Sequence, residues 1–155
     1  MNERVVEILI LIMNEIRNDS QGSQKLELLS KDLIKQGYTE GEISSAFSWL
    51  LSRLRNESEE LVQDQDSASK NSFRLLHEIE SSVISTQAYG YIIQLKELGI
   101  IDEHDVEQIL ERAMMLGTMK VTVEDIKSIA ASLLNYYEGL GEGSYLFFDE
   151  HAGVQ

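Results

Sequence analysis

The sequence contains the same helix-start signal three times. In residues 39–43, 102–106 and 122–126, a Thr or Asp is followed three positions later by an acidic residue and then by an apolar one. Such a pair forms a capping box, in which each side chain accepts a hydrogen bond from the other residue's backbone N–H at the first turn of a helix. Apolar residues at helical spacing follow each signal. The repeated signal therefore predicts an all-α fold.

Three helices are predicted within residues 1–55. Apolar residues recur at helical spacing over 3–17 and 25–36, and the first capping box begins a third helix after Thr39. Gly37, two residues before that box, suits the left-handed backbone position that ends many helices, so the second and third helices are joined by a tight turn. This order is the outline of a tri-helical, helix-turn-helix-like unit. Trp49 is expected to pack in its core, with a partly exposed interface anchor as the alternative.

The rest of the chain is divided by composition and periodicity. Polar, acidic residues form a linker, three helical patterns follow it, and a glycine-rich tail comes last. The first of those patterns runs from about Ser81 to Leu98, and the other two follow the capping boxes at Asp102 and Thr122. Residues 72–77, which precede them, could supply a short wing strand. The predicted parts are a helix-turn-helix-like unit over 1–55, a linker over 56–71, a helical bundle over 72–138 and a C-terminal tail over 139–155.

The first helix is apolar on two adjoining faces. One surface helix needs only one apolar face, so the second stripe, formed by Val6, Ile10 and Met13, requires a partner helix. These three residues are the candidate interface. The partner is either the C-terminal bundle of the same chain or the first helix of a second copy. The length of the linker and the negative charge of the second half favour cover within one chain, and hence a monomer over a homodimer.

Charge is distributed unequally along the chain. The net charge is −14, from 13 basic and 27 acidic residues. Residues 1–55 contain seven of the bases and eight of the acids, so the acidic excess lies almost wholly in the second part. Because nonspecific nucleic-acid binding comes mostly from neutralising phosphates, this charge disfavours a nucleic-acid partner. If nucleic acid binds at all, we expect it at the N-terminal unit, with Arg53 and Arg55 as the candidate contacts.

Motifs that carry enzyme chemistry are missing from the sequence. It has no cysteine, which excludes a thiol nucleophile and a thiolate metal site, and no glycine-rich phosphate loop, GxSxG elbow or HExxH motif. His104, Glu107 and Glu111 share one helical face, but a solvated acidic face explains that spacing better than a metal site. We therefore assign no catalytic, cofactor-binding or metal-binding residue, and no cofactor.

The sequence also predicts a location. It begins without a signal-peptide pattern, and its longest apolar run, Ile8 to Met13, is far shorter than the roughly 20 residues of a membrane span. The absence of cysteine agrees with a reducing compartment. We expect a cytoplasmic protein that makes no membrane contact.

Eight short segments follow one another in a recognisable order between the first helix and about Leu134. They are Gly37-Tyr38, Glu42-Ile43, Ala46 to Leu50, Phe73 to Leu75, Gly90 to Ile92, Leu98 to Ile101, Val106 to Met114 and Val123 to Lys127. In this order they resemble the Smg family of small, acidic bacterial proteins. The resemblance implies a bacterial cytoplasmic origin. It brings no catalytic residues to transfer and leaves the molecular function open.

Two functional hypotheses follow from these patterns. The missing catalytic motifs, the acidic second half and the surplus apolar stripe favour a non-enzymatic protein-interaction module or adaptor that engages a protein partner. The alternative is a nucleic-acid-associated regulator that uses the N-terminal helix-turn-helix-like unit.

Overall fold

The structure, a computed structural model, describes residues 2–18, 22–60 and 74–135. No strand occurs within these residues, and their β-type pairing is limited to one isolated bridge between Ile84 and Val121. The predicted all-α fold is confirmed. The helices are α1 (Glu3–Asn18), α2 (Gly22–Lys35), α3 (Glu40–Glu60), α4 (Glu78–Val83), α5 (Thr86–Glu97), α6 (Glu103–Met115) and α7, described over residues 123–135.

All three predicted capping boxes begin helices. At the start of α3, the Glu42 N–H donates to the Thr39 hydroxyl at 3.2 Å, and the Thr39 N–H donates to the Glu42 carboxylate at 2.9 Å. Asp102 and Asp105 exchange the same pair of bonds before α6, at 2.9 and 3.0 Å. The box at residues 122–125 begins α7 in the same way. Each cap satisfies backbone N–H groups that a helix leaves without partners in its first turn.

The first three helices contact one another, and α1 packs most extensively on α3. The turn between α2 and α3 depends on Gly37, whose φ of +93° lies in the left-handed region that side chains rarely tolerate. Trp49 is only 8% exposed and belongs to the core, which confirms its predicted position. The helix-turn-helix-like character of this unit stays a prediction.

A single apolar core joins the first three helices to the last four. Its most deeply buried side chains come from both parts and include Ile8, Leu33, Ile92, Ile109 and Leu133. Polar contacts accompany this packing along α1. Lys127 on α7 forms an ion pair with Glu7 at 3.5 Å, and Arg17 donates to the Glu97 carbonyl at 3.3 Å. Helix α1 therefore contacts α5 and α7 as well as α2 and α3.

The helix predicted from Ser81 to Leu98 is instead two helices, α4 and α5. The break falls at Ile84 and Ser85 because the Ser85 hydroxyl caps α5, accepting from the Ala88 N–H at 3.2 Å. Two backbone hydrogen bonds to Val121 stabilise this break. The Val121 N–H donates to the Val83 carbonyl at 2.8 Å, and the Val121 carbonyl accepts from the Ser85 N–H at 3.1 Å. The apolar spacing on both sides of the break is compatible with one helix, so periodicity did not reveal it.

The predicted linker begins later than expected. Helix α3 continues to Glu60, so residues 56–60 extend the helix, and they contain no glycine or proline that would end it. The remaining linker residues, 61–71, lie outside the described part of the chain, as does the predicted tail at 139–155. Of the predicted wing strand, residues 72–73 are also outside it, and residues 74–77 form neither helix nor strand. The division into four parts stays a prediction.

Candidate docking surface

The outward face of α3 is the candidate functional site. The inward face of this helix buries Ile43, Ala46, Trp49 and Leu50 in the core. Positions four, seven and eleven residues apart lie on one side of a helix, so a second set of side chains forms the opposite stripe. We call this stripe, with the leucine beside it, the α3 surface; all of its members are exposed. The α3 surface consists of Ser44, Ser48, Leu51, Leu54 and Arg55.

Two large apolar side chains belong to the α3 surface, Leu51 on the stripe and Leu54 beside it. Leu51 is 62% exposed and Leu54 is 54% exposed. They lie three residues apart, so they are neighbours on the helix. Full burial of an exposed leucine side chain contributes a favourable free energy of about 1.5–3 kcal/mol. A partner that covers Leu51 and Leu54 would gain a substantial part of this free energy from each of them. An exposed apolar pair of this kind is suited to contact with another apolar surface.

The two arginines proposed as nucleic-acid contacts have different environments. The Arg53 guanidinium lies 5.9 Å from the centre of the Trp49 ring, and its side chain is half-buried. This cation–π contact holds Arg53 against the edge of the core. Arg55 is exposed and belongs to the α3 surface. The structure therefore brings only Arg55 to the face that holds Ser44 and Ser48.

Contacts around Arg4 fix the N-terminal end of α3. The Arg4 guanidinium donates to the Gly37 carbonyl at 2.6 Å, forms an ion pair with Glu42 at 3.3 Å, and lies 5.2 Å from the centre of the Tyr38 ring. The hydrogen bond from the Thr39 backbone, with help from Arg4, lowers the pKa of Glu42. These contacts tie α1 to the turn before α3 and so set the direction in which the α3 surface points.

An open groove adjoins this end of α3, with a volume of about 570 Å³. Thr39 and Glu42, two of its polar side chains, already have structural roles. Thr39 and Glu42 form the capping box, and Glu42 also pairs with Arg4. The groove therefore does not present a nucleophile beside an uncommitted base. It is lined by Asn2, Val5, Thr39, Gly41, Glu42 and Ser45.

A second arginine cluster is also structural. Both terminal nitrogens of Arg74 lie 2.8 Å from the Glu80 carboxylate, and its Nε contacts Glu107 on α6. This bidentate bond is the main reason why the pKa of Glu80 falls to about 2. The Tyr89 hydroxyl donates to the Arg74 carbonyl. The cluster thus fastens the segment before α4 to α5 and α6.

Two of the three residues that share one face of α6, His104 and Glu107, have other contacts. Glu107 is engaged by Arg74, and the His104 ring contacts Gln108 at 2.8 Å. Within residues 2–18, 22–60 and 74–135, no group of three or more His, Asp or Glu side chains is arranged to hold a metal ion. The Tyr91 hydroxyl is buried and has no hydrogen-bond partner in this part of the chain. Burial, followed by the nearby charge of Glu7, raises the pKa of Tyr91 to about 12, so it stays protonated at neutral pH.

The apolar stripe proposed as an interface on α1 is covered by the chain itself. Val6 is fully buried, and Ile10 and Met13 are partly buried against the same core. The three residues therefore offer little free surface. Leu51 and Leu54 instead belong to the apolar pattern of the third helix, and that pattern alone did not mark them as exposed. One signal could have identified Leu51: consecutive residues on a helix point about 100° apart, so a core position for Leu50 turns Leu51 away from the core. Leu54 lies four residues after Leu50, on the same side of the helix, and gives no such signal.

The described residues thus form an all-helical protein. The polar clusters described above cap helices or connect neighbouring segments, and the α3 surface is exposed. None of the described helices is long and apolar enough to cross a membrane. Residues 5–151 match the family described as "Protein of unknown function (DUF494)". The chain belongs to this family, the Smg family of small bacterial proteins, which confirms the resemblance found in the sequence.

Several relatives carry the name "Protein Smg homolog". The one from Alkalilimnicola ehrlichii is 29% identical over 137 residues, covering 86% of this chain and 83% of the relative. The one from Colwellia psychrerythraea is 26% identical, and the match covers 94% of this chain and 96% of the relative. The one from Nitrosococcus oceani is 24% identical, and the match covers 97% of this chain and 93% of the relative. No solved structure matches the chain, and the name that these relatives share states no activity.

Proposed function

We propose that this protein is a non-enzymatic protein-interaction module and that a protein partner docks on the α3 surface. The observation that carries the proposal is the exposure of Leu51 and Leu54 on the outward face of α3. Neighbouring contacts hold this helix in place, since α1 packs along it and Arg4 clamps the turn before it. A rigid element loses little conformational freedom on binding, so its apolar surface can contribute fully to affinity.

The chemistry of the surface favours a protein over a nucleic acid. Apolar side chains with a neighbouring arginine resemble the centres of protein interfaces, where aliphatic and aromatic anchors are surrounded by polar groups. A helix that reads bases usually places polar side chains on its outward N-terminal part. Here Glu40 is exposed at that end and would repel phosphates. The net charge of −14 acts in the same direction.

Site-specific photo-cross-linking tests this proposal in the intact chain. A photoreactive residue replaces Ser48, which lies one turn before Leu51 on the same stripe, and both leucines stay unchanged. The control places the same residue at Lys31, an exposed position on α2. We expect a discrete cross-linked protein from position 48 in cells of the source bacterium and none from position 31. The same products from both positions, or no product from position 48, would contradict the proposal.

The nucleic-acid hypothesis is tested separately by fluorescence anisotropy with a mixed-sequence duplex. The full-length chain is compared with an Arg55→Ser variant at low and moderate salt. The proposal predicts no binding at moderate salt. Binding that weakens steeply with salt and depends on Arg55 would instead support the regulator, because phosphate contacts release counterions.

The non-enzymatic part of the proposal has its own test. Elemental analysis and native mass spectrometry of the purified protein should detect neither a stoichiometric metal nor a retained small molecule. A tightly bound species in a one-to-one ratio would argue for a binding or catalytic site that the α3 surface does not explain.

A further inference from the structure

The most exposed large apolar side chain of the described residues, Met119, lies between α6 and α7 and is 96% exposed. Met115, the last residue of α6, is 75% exposed, and Leu116, which follows it, is 45% exposed. Helix α6 ends at Met115, Gly117 two residues later has a φ of +65°, and residues 115–120 are all exposed. We call Met115, Leu116 and Met119 the methionine surface. Methionine is flexible and polarisable, so such a surface can adapt to an apolar ligand and favours aromatic ones.

Two cationic side chains border the methionine surface, and one exposed carboxylate, that of Glu111, precedes Met115 by four residues. Arg112 precedes Met115 by three residues, and Lys120 directly follows Met119; both are exposed. Neither forms an ion pair with another residue in the part of the chain that the structure describes. The surface therefore suits an occupant that combines aromatic side chains with carboxylates.

The chain itself contains a segment with this chemistry. Residues 144–150 read Ser-Tyr-Leu-Phe-Phe-Asp-Glu, a run of apolar and aromatic residues followed by two acids. Residues 136–155 contain four acidic residues and no Lys or Arg. The aromatic run matches the methionines, and Asp149 and Glu150 match the two bordering cations.

The connecting chain is long enough to bring the two together. Helix α7 is described over 13 residues, so residue 135 lies about 20 Å from the start of that helix, where Met119 is close by. The nine residues 136–144 can span about 30 Å when extended. A tethered segment of this length has an effective concentration in the millimolar range, so even a modest apolar contact is occupied.

We propose that residues 145–150 dock on the methionine surface of the same chain, with the aromatic side chains against Met115 and Met119 and the two acids beside Arg112 and Lys120. This contact removes both apolar surfaces from water. It is independent of the α3 surface, which lies on a different helix and is proposed to bind a separate partner.

Paramagnetic NMR on the full-length chain tests the proposal directly. Because the chain has no cysteine, Ser144→Cys provides one attachment site for a spin label, and the five methionines provide a small number of methyl probes. We expect strong broadening of the Met115 and Met119 methyl signals. Met13, on α1, serves as the internal control and should keep its signal. Unchanged Met115 and Met119 signals, or broadening of Met13 instead, would overturn the proposal.

A mixed sample separates docking within one chain from docking between two copies. Spin-labelled protein without isotope is mixed with isotope-labelled protein without spin label. We expect no broadening in this mixture; broadening equal to that in the doubly labelled chain would assign the contact to a second copy and overturn the proposal.

Two variants define the chemistry of the contact. Phe147→Ser with Phe148→Ser should abolish the broadening, and Asp149→Lys with Glu150→Lys should reduce it at least several-fold at low salt. A matched change outside the segment, Glu142→Gln, should leave it intact. Broadening that survives both double substitutions would show that the label approaches Met119 without the proposed contact. Unchanged far-UV circular dichroism verifies that each variant is folded.

Discussion

Two apolar faces of this protein are covered to different degrees. The Val6, Ile10 and Met13 stripe on α1 is the candidate interface for which cover within one chain is favoured, and the core packs against it, with Val6 completely buried. Leu51 and Leu54 belong to the apolar pattern of α3, yet more than half of each side chain is exposed. Both helices are amphipathic by periodicity. What distinguishes the two faces is the position of the other helices, because α5 and α7 reach α1 while the outward face of α3 is left open.

The largest expected effect comes from placing a polar group on the covered face. Val6→Ser removes buried methyl groups and leaves a hydroxyl in an apolar site, which should lower the free energy of unfolding by about 3 kcal/mol. Leu51→Ser, on the open face, should change it by less than about 1 kcal/mol. Urea unfolding followed by the fluorescence of Trp49, the only tryptophan, measures both. Equal losses in the two variants would mean that the two faces are not covered as the structure indicates.

A smaller effect is expected at the Arg74 clamp, and it depends on pH. Glu80→Gln should cost about 2 kcal/mol at pH 7, since a charge-assisted bidentate bond is lost. The pKa of Glu80 is lowered from 4.5 to about 2 in the folded protein. Its ionised form therefore stabilises the fold above pH 4.5, and this contribution is lost as the pH falls towards 2. Unfolding is measured for both proteins at a series of pH values, and their free energies of unfolding should converge below pH 4. A difference in free energy that does not change with pH would show that the ion pair is not its source.

The hydroxyl of Thr39 that caps α3 should contribute about 1 kcal/mol to the free energy of unfolding. Thr39→Ala removes the hydroxyl that accepts from the Glu42 N–H, and the loss should be restored by Thr39→Ser, which keeps the oxygen. Thermal unfolding measures this, and a serine variant no more stable than the alanine variant would contradict the assigned bond.

The smallest effect on stability is expected at the α3 surface, where binding changes most. Leu51→Ser together with Leu54→Ser should leave the unfolding midpoint within a few degrees of the parent. The same double variant should lose the cross-link from position 48. Thermal unfolding followed by circular dichroism and cross-linking, both on one preparation, measure the stability and the binding of this variant. If the variant does not fold, the leucines are part of the core and the assignment is wrong.

The features that the sequence predicted correctly are those decided within a few residues. The boxes at Thr39, Asp102 and Thr122 need only their own side chains and the next turn, so they form as expected. The break between α4 and α5 could not be found in this way, because it depends on hydrogen bonds to Val121, which is distant in sequence. Exposure of Leu51 likewise depends on where other helices pack. Sequence periodicity shows which faces are apolar, and tertiary packing decides which of them are covered.

The most direct measurement compares two matched pairs of exposed apolar residues on neighbouring helices. One variant carries Leu51→Ser and Leu54→Ser on α3, and the other carries Leu28→Ser and Ile34→Ser on α2, where the side chains are 59% and 47% exposed. Both contain the photoreactive residue at position 48. Our account predicts that the α2 variant keeps the cross-linked partner at the parental yield and that the α3 variant loses at least nine-tenths of it. Equal yields from two folded variants would contradict the assignment of the docking site to the α3 surface.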